Sequence, residues 1–337
     1  MKAIGYYAPG PIDRDDALVD LAQEVPQASG HDVLVKVEAV SVNPVDVKIR
    51  QSRAPEQGLA AVIGWDAVGE VVAVGDKATS VQVGDRVWYA GDISRPGTNS
   101  EYHLVDARIV SKAPGSIDNA AAAALPLTAL TAFEMLFDRL KINDPVPGAA
   151  RAVLVIGGAG GVGSITIQLL RALTDYTVIA TASRPETQEW VKELGAHHVI
   201  DHHQPLPAQI DALGLGAPAF VFSTNASEGY APQIAELIAP QGRFGLIDDP
   251  ASLDVVPFKP KAVSIHWELM FTRPLFSTAD IARQGEILAK VAHLIDTGHL
   301  RSTATESFGT INAANLKRAH ALIESGRAKG KVVLEGF

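Results

Sequence analysis

From residue 151 onward, apolar and polar positions alternate in blocks. "AVLVIGG" (152–158) is an unbroken apolar run, as expected of a strand buried on both faces. "VGSITIQLLRAL" (162–173) has helical spacing. The rhythm then repeats with strand "TVIATAS" (177–183), helix "PETQEWVKELG" (185–195) and strand "HHVIDH" (197–202). It continues with strand "PAFVFSTN" (218–225), helix "APQIAELIAPQG" (231–242) and strand "RFGLIDD" (243–249), and "AVSIHWELMF" (262–271) reads as a last strand. Strand–helix–strand alternation of this kind implies right-handed crossovers and a doubly wound parallel sheet.

The first 115 residues follow a different pattern. Short Val-rich runs at 31–42, 69–76, 83–91 and 101–110 are separated by Gly, Pro and Asp. Their irregular spacing predicts a partly open β-barrel. Residues 114–142 then turn helical, with Ser116 as a candidate N-cap, an interruption at Pro126 and a second helix from about Leu127 to Leu140. Two amphipathic helices (279–298 and 312–325) precede a closing strand, "KVVLEG" (331–336), expected to fold back onto the N-terminal β domain. The fold class is therefore α/β. One domain comprises 1–125 and 272–337, and the other comprises 126–271.

Composition narrows the chemistry. A length of 337 residues suits two domains. A diffuse net charge of −9 argues against nucleic acid or anionic membrane as a partner. The apolar stretch 120–133 is short and rich in Ala and Thr, and no signal-peptide run opens the chain, so the cytoplasm is the expected compartment. The absence of cysteine removes disulfides, thiolate metal sites and a Cys nucleophile.

Gly158, Gly160 and Gly163 satisfy G-x-G-x-x-G between a buried strand and a helix, with Gly161 and Val162 completing the turn. That context points to a dinucleotide whose pyrophosphate lies on the helix N-terminus. An NAD site places an acid about twenty residues on. Here Ala182, Ser183 and Arg184 follow the second strand, so nothing repels a 2′-phosphate and Arg184 can bind it. The cofactor expected is NADPH/NADP+. Ser223 and Asn225, at the end of the fourth strand, are expected at the ribose or carboxamide.

These residues carry a resemblance. "AGGVG" in its βαβ unit, preceded by "SVNPVDVKIR" (41–50), "GWDAVGEVVAVG" (64–75) and "VQVGDRVW" (81–88), resembles the medium-chain dehydrogenase/reductase superfamily over nearly the whole chain. Within it the chain is similar to the quinone oxidoreductases and to the bacterial zinc-type alcohol dehydrogenase-like proteins. The resemblance implies a GroES-like β domain and a Rossmann domain. It also places Thr128 near the nicotinamide or phosphates and His202 near the 2′-phosphate, a surface or metal role being the alternatives for His202 in "HHVIDHH" (197–203). Metal-dependent relatives have Cys where this chain has Asn43 and Gly-His-Glu where it has Gly64-Trp65-Asp66, so no zinc is expected.

Without a metal, hydride transfer to a quinone or α,β-unsaturated carbonyl leaves charge on an oxygen, which needs positioned donors. The resemblance places Asn43 and Lys48 there as catalytic residues. His266, which shares a strand face with Ser264 and Glu268, is a further candidate acid. The expected function is a zinc-independent NADPH-dependent reductase with a small carbonyl or quinone substrate. A zinc-type alcohol dehydrogenase and a non-catalytic NADPH-binding sensor are the alternatives. The apolar strand near 262–271 also predicts a homodimer through its edge.

Overall fold

The computed structural model describes residues 1–337 and divides into two compact units, Met1–Leu130 with Phe271–Phe337, and Thr131–Met270. The first boundary falls inside the helix Pro126–Phe133, which opens at the proline expected to interrupt the run.

In the second unit, six strands form one sheet in which every neighbouring pair is parallel. The glycine-turn strand Ala150–Ile156 lies between Thr177–Thr181 and Pro218–Ser223. His198–Ile200 forms one edge and Ser264–Trp267 the other. The alternation read from the sequence is thus a doubly wound sheet, and its central strands are buried on both faces. One side of the core packs Leu154, Val221 and Phe244 against Ile234 and Ile238.

Several local expectations are corrected. The helix expected from Ala231 begins at Ser227 and contains Pro232. The edge strand is shorter than 262–271, spanning only Ser264–Trp267. A helix at Leu206–Ala212 was not foreseen. Ser116 caps no helix. Its backbone N–H donates to Asp296 at 2.8 Å, while Asp118 caps Asn119–Ala123 by accepting from the Ala121 N–H at 2.7 Å.

The first unit is β-rich, with a seven-stranded sheet beside a three-stranded one. The strand Asp32–Val42 organises the larger sheet. Its first half pairs with Tyr102–Asp106 and its second half with the C-terminal strand Lys331–Glu335, both antiparallel. The chain end therefore folds back as the sequence implies. The stretch Asn119–Arg139 is long and apolar enough by composition to cross a membrane, yet 83% of its most apolar window is buried inside the fold, as in a core helix.

Candidate functional site

Three glycines of the turn after Ala150–Ile156 each answer a different steric demand. Gly157, not Gly158, takes the left-handed conformation, with φ of +79°. A Cβ there would lie 2.2 Å from Thr224 Oγ1. At Gly158 a Cβ would lie 2.9 Å from the Ala180 methyl, and at Gly163 2.2 Å from the Gly157 carbonyl oxygen. Gly160 by contrast is open, with the Gly157 carbonyl oxygen 3.6 Å from where a Cβ would stand. Gly160 is also the N-cap of the helix Gly161–Leu173, and no side chain caps it. With Gly161 and Val162 in the first turn, the helix start keeps backbone donors for an anion. This arrangement fits a dinucleotide pyrophosphate.

Ser183 and Arg184 follow the second strand, and Arg184 is the N-cap of the helix Pro185–Glu193. Its N–H donates to Thr187 Oγ1 at 3.2 Å, and its guanidinium Nε pairs with Glu186 at 3.0 Å, both partly exposed. No acid stands at 182 to 184. His202 lies in a turn beyond the strand His198–Ile200, with its ring 4.6 Å from that of His203. Burial lowers the His202 pKa, and His203 lowers it further. No three His, Cys, Asp or Glu side chains anywhere in the protein come together as a metal site.

The fourth strand ends in a tightly held loop. The N–H and hydroxyl of Thr224 both donate to the Ile156 carbonyl, at 3.1 and 2.9 Å. Ser223 Oγ donates to the Asn225 carbonyl at 3.1 Å. The Asn225 amide oxygen lies 2.7 Å from where a Gly157 Cβ would stand, so this loop and the glycine turn touch.

In the first unit, the segment carrying Asn43 meets Gly64-Trp65-Asp66 in a buried polar cluster. Asp66 Oδ2 accepts from Ser41 Oγ at 2.7 Å, Asn43 Nδ2 at 2.7 Å and Lys331 Nζ at 3.2 Å. Its other oxygen accepts the Leu127 N–H at 2.7 Å. Lys331 also donates to the Asn43 side-chain oxygen and, at 3.0 Å, to the Val42 carbonyl. Burial lowers the Lys331 pKa, while Asp66 and Asp46 oppose that shift. Asp46 accepts the Asn43 N–H at 2.8 Å, and burial pushes its pKa up to about 7.

Asn43 is 1% exposed, and its amide donates to Asp66 and accepts from Lys331. Thr128 is buried, and its hydroxyl donates to the Leu125 carbonyl at 3.1 Å. Lys48 is exposed on the helix Pro44–Ser52.

Sequence reasoning missed the buried cation at Lys331 and a second buried cluster. Glu268 follows the edge strand and pairs with Arg139 at 2.7 Å. Burial and the neighbouring Glu134 carboxyl raise the Glu268 pKa to about 8. On the same strand, His266 Nε2 lies 3.0 Å from Ser264 Oγ, and burial lowers its pKa. The pattern of alternate positions had already put 264, 266 and 268 on one face.

The residues do not fit a zinc ion at the position held by metal ligands in zinc-dependent relatives. Trp65 points its indole N–H to the Asp92 carbonyl at 3.1 Å, and an ammonium already neutralises Asp66. Zinc needs three or four N, S or carboxylate donors, and this set offers one carboxylate beside an amide.

Comparison with known proteins places this site in a family. The chain matches the alcohol dehydrogenase GroES-like domain over residues 29–115 and the zinc-binding dehydrogenase family over residues 194–334. It is 38% identical over 336 residues to the zinc-type alcohol dehydrogenase-like protein SAS2087 of Staphylococcus aureus (strain MSSA476), covering 99% of both chains. It is 28% identical to 2-methylene-furan-3-one reductase of Solanum lycopersicum, covering 99% of this chain and 79% of that protein. A crystal structure of a Rhizobium etli CFN 42 protein described as a zinc-dependent alcohol dehydrogenase superposes with a TM-score of 0.99 at 62% identity, covering 100% of this chain and 98% of that one. The quinone oxidoreductase of Coxiella burnetii has a TM-score of 0.80 at 25% identity, covering 100% and 99%. Mycobacterial Rv1454c complexed with NADPH has a TM-score of 0.82 at 27% identity, covering 99% of each chain. This chain therefore belongs to the medium-chain dehydrogenase/reductase superfamily of oxidoreductases, among the zinc-type alcohol dehydrogenase-like proteins.

Proposed function

We propose that this protein is an NADPH-dependent reductase of quinones or α,β-unsaturated carbonyls that works without zinc. The observation that carries this reading is the Asn43–Asp66–Lys331 cluster. It puts a buried ammonium at the positions where zinc-dependent relatives keep their ligands, which leaves no donor set for an alcohol-polarising metal. The NADPH-bound relative and the quinone and enone reductases among the similar proteins support the same class.

Bound at the glycine turn, NADPH would supply a hydride. The chain's own part begins with Gly160, Gly161 and Val162, whose open backbone would receive the pyrophosphate. Gly158 and Gly163 keep the strand and helix close. Ser183, Arg184 and His202 would hold the 2′-phosphate, and Ser223 and Asn225 would meet the nicotinamide half. Lys48, exposed on its helix, offers a positive charge to the oxyanion that hydride addition leaves on the substrate. Asn43 we assign to holding Asp66 and Lys331 together rather than to touching substrate.

A homodimer fits the free edge of Ser264–Trp267, which pairs on one side only. Trp267 and Leu269 beside it are 52% and 51% exposed. Burying them against a second copy would remove an unpaired strand edge.

The deciding experiment is NADPH oxidation against a quinone and enone panel in the presence of chelator. Turnover under chelation is expected. Activity that appears only after zinc is added would overturn the reading, and tight NADPH binding without turnover on any acceptor would favour a sensor.

A further inference from the structure

We propose that Asp248 is a positioning residue for the dinucleotide site, holding the 224–226 loop over the glycine turn. The inference rests on the cofactor reading above and names a residue that reading does not use. Both carboxylate oxygens of Asp248 are spent on one residue. One accepts the Ser227 N–H at 2.8 Å and the other accepts the Ser227 hydroxyl. The Ser227 oxygen lies 2.9 Å from Ser223 Oγ, whose single proton serves either Ser227 or the Asn225 carbonyl. Asp248 thus fixes the Ser227 end of the short segment that carries Thr224 and Asn225, and Ser223 closes against that fixed end.

The segment is held in a conformation it would not choose alone. Ala226 is exposed and left-handed, with φ of 52° and ψ of 32°, at the N-cap of Ser227–Leu237. An alanine there is disfavoured relative to glycine, and such strain persists only where neighbours over-determine it. The neighbours here are Asp248 on one side and the Ile156 carbonyl, which accepts twice from Thr224, on the other. The result is an Asn225 side chain seated against Gly157, at the carboxyl end of the sheet where ligands of such folds bind. A loop fixed before the ligand arrives loses less freedom on binding, so its fixation strengthens affinity.

Ala226→Gly and Asp248→Asn test this, each titrated with NADPH for dissociation constant and stoichiometry and melted without ligand. Ala226→Gly relieves the strain because glycine takes the left-handed conformation unaided, so its melting temperature is expected to hold or rise and its NADPH dissociation constant to stay within about twofold of the parent's. Asp248→Asn is expected to raise the dissociation constant about tenfold with stoichiometry near one, and Ala226→Gly added to it is expected to recover most of that loss. A merely structural role would instead lower stoichiometry or melting temperature and leave the dissociation constant of the folded fraction unchanged. Should Asp248→Asn not fold, Ser227→Ala, which removes the hydroxyl that Asp248 accepts, is read in its place. A dissociation constant within about twofold of the parent in that variant overturns the proposal. A parent protein that binds no NADPH overturns the cofactor reading itself and this inference with it. Tight parent binding with an unmoved Asp248→Asn sinks the inference alone.

Discussion

The Lys331 ammonium lies 3.2 Å from the Asp66 carboxylate, with the two side chains 4% and 0% exposed. The residues are far apart in sequence, and neither has another charge partner of comparable burial except Asp46. Removing one partner of a buried pair strands the other. Lys331→Met should therefore cost about 3–5 kcal/mol in urea denaturation, whereas Lys331→Met combined with Asp66→Asn should lie within roughly 2 kcal/mol of the parent. Equal losses in the single and double variants would show that the pair is not coupled.

Arg184 is expected to discriminate between cofactors. A charge-assisted hydrogen bond contributes about 1.5–3 kcal/mol. Arg184→Ala should then weaken NADPH roughly 10- to 150-fold while leaving NADH nearly unchanged. Fluorescence titration with both nucleotides checks it, and parallel losses would remove Arg184 from the phosphate site.

The glycines should separate stability from binding. Gly157→Ala forces a side chain into a left-handed position against Thr224, at a cost of at least ~2 kcal/mol of stability. Gly160→Ala meets nothing closer than 3.6 Å and has φ of −73°, so its cost in stability should stay under about 1 kcal/mol, the difference between glycine and alanine at an N-cap. Its methyl would nonetheless keep the pyrophosphate off the backbone, and NADPH affinity should fall tenfold or more. Thermal melts alongside titrations decide both.

Glu268 implies a pH dependence of definite sign. Its folded pKa is raised from 4.5 to about 8, so between those values the folded state holds a proton that the unfolded state has lost. Unfolding free energy therefore falls as pH rises through that window and levels off above it, by up to ~5 kcal/mol for one such group. Glu268→Gln should flatten the slope between pH of about 5 and 8, stabilising the protein most at the alkaline end. A slope unchanged in this variant would assign the dependence to Asp46 or to other groups.

The edge strand offers a test of assembly. Trp267→Lys places a charge on the exposed strand and should convert a dimer to monomers in sedimentation, with little change in melting temperature at low concentration. A parent protein that sediments as a monomer would remove the homodimer from the picture.

What the sequence made legible follows from how local each signal is. The parallel sheet was readable because apolar strands and periodic helices are written in consecutive residues. The glycine turn was readable too, but which of its glycines is left-handed was not. Gly157 and Gly158 are adjacent and look alike, and only the contact with Thr224, far along the chain, tells them apart. The start of the helix at Ser227 was missed for a similar reason, since its cap comes from Asp248, 21 residues away. Lys331 gave no sign of burial because a lysine opening a strand is ordinarily solvated, and its partners arrive from the other end of the chain. Asp66 was noticed only as a departure from a metal ligand pattern. Its true role, as the acceptor of four donors, is a property of the assembled sheet.

The pairing of Lys331–Glu335 with the second half of Asp32–Val42 also fixes an order of events during synthesis. The unit made first lacks a central-sheet neighbour and its buried ammonium until residues 331–335 emerge. The contiguous unit Thr131–Met270 has all six of its strands earlier. Domains tend to fold as they leave the ribosome. Here the later-made sheet can close first, while the N-terminal strands wait with an open seam and an uncompensated Asp66. In that interval the N-terminal sheet presents an unpaired strand edge to other chains.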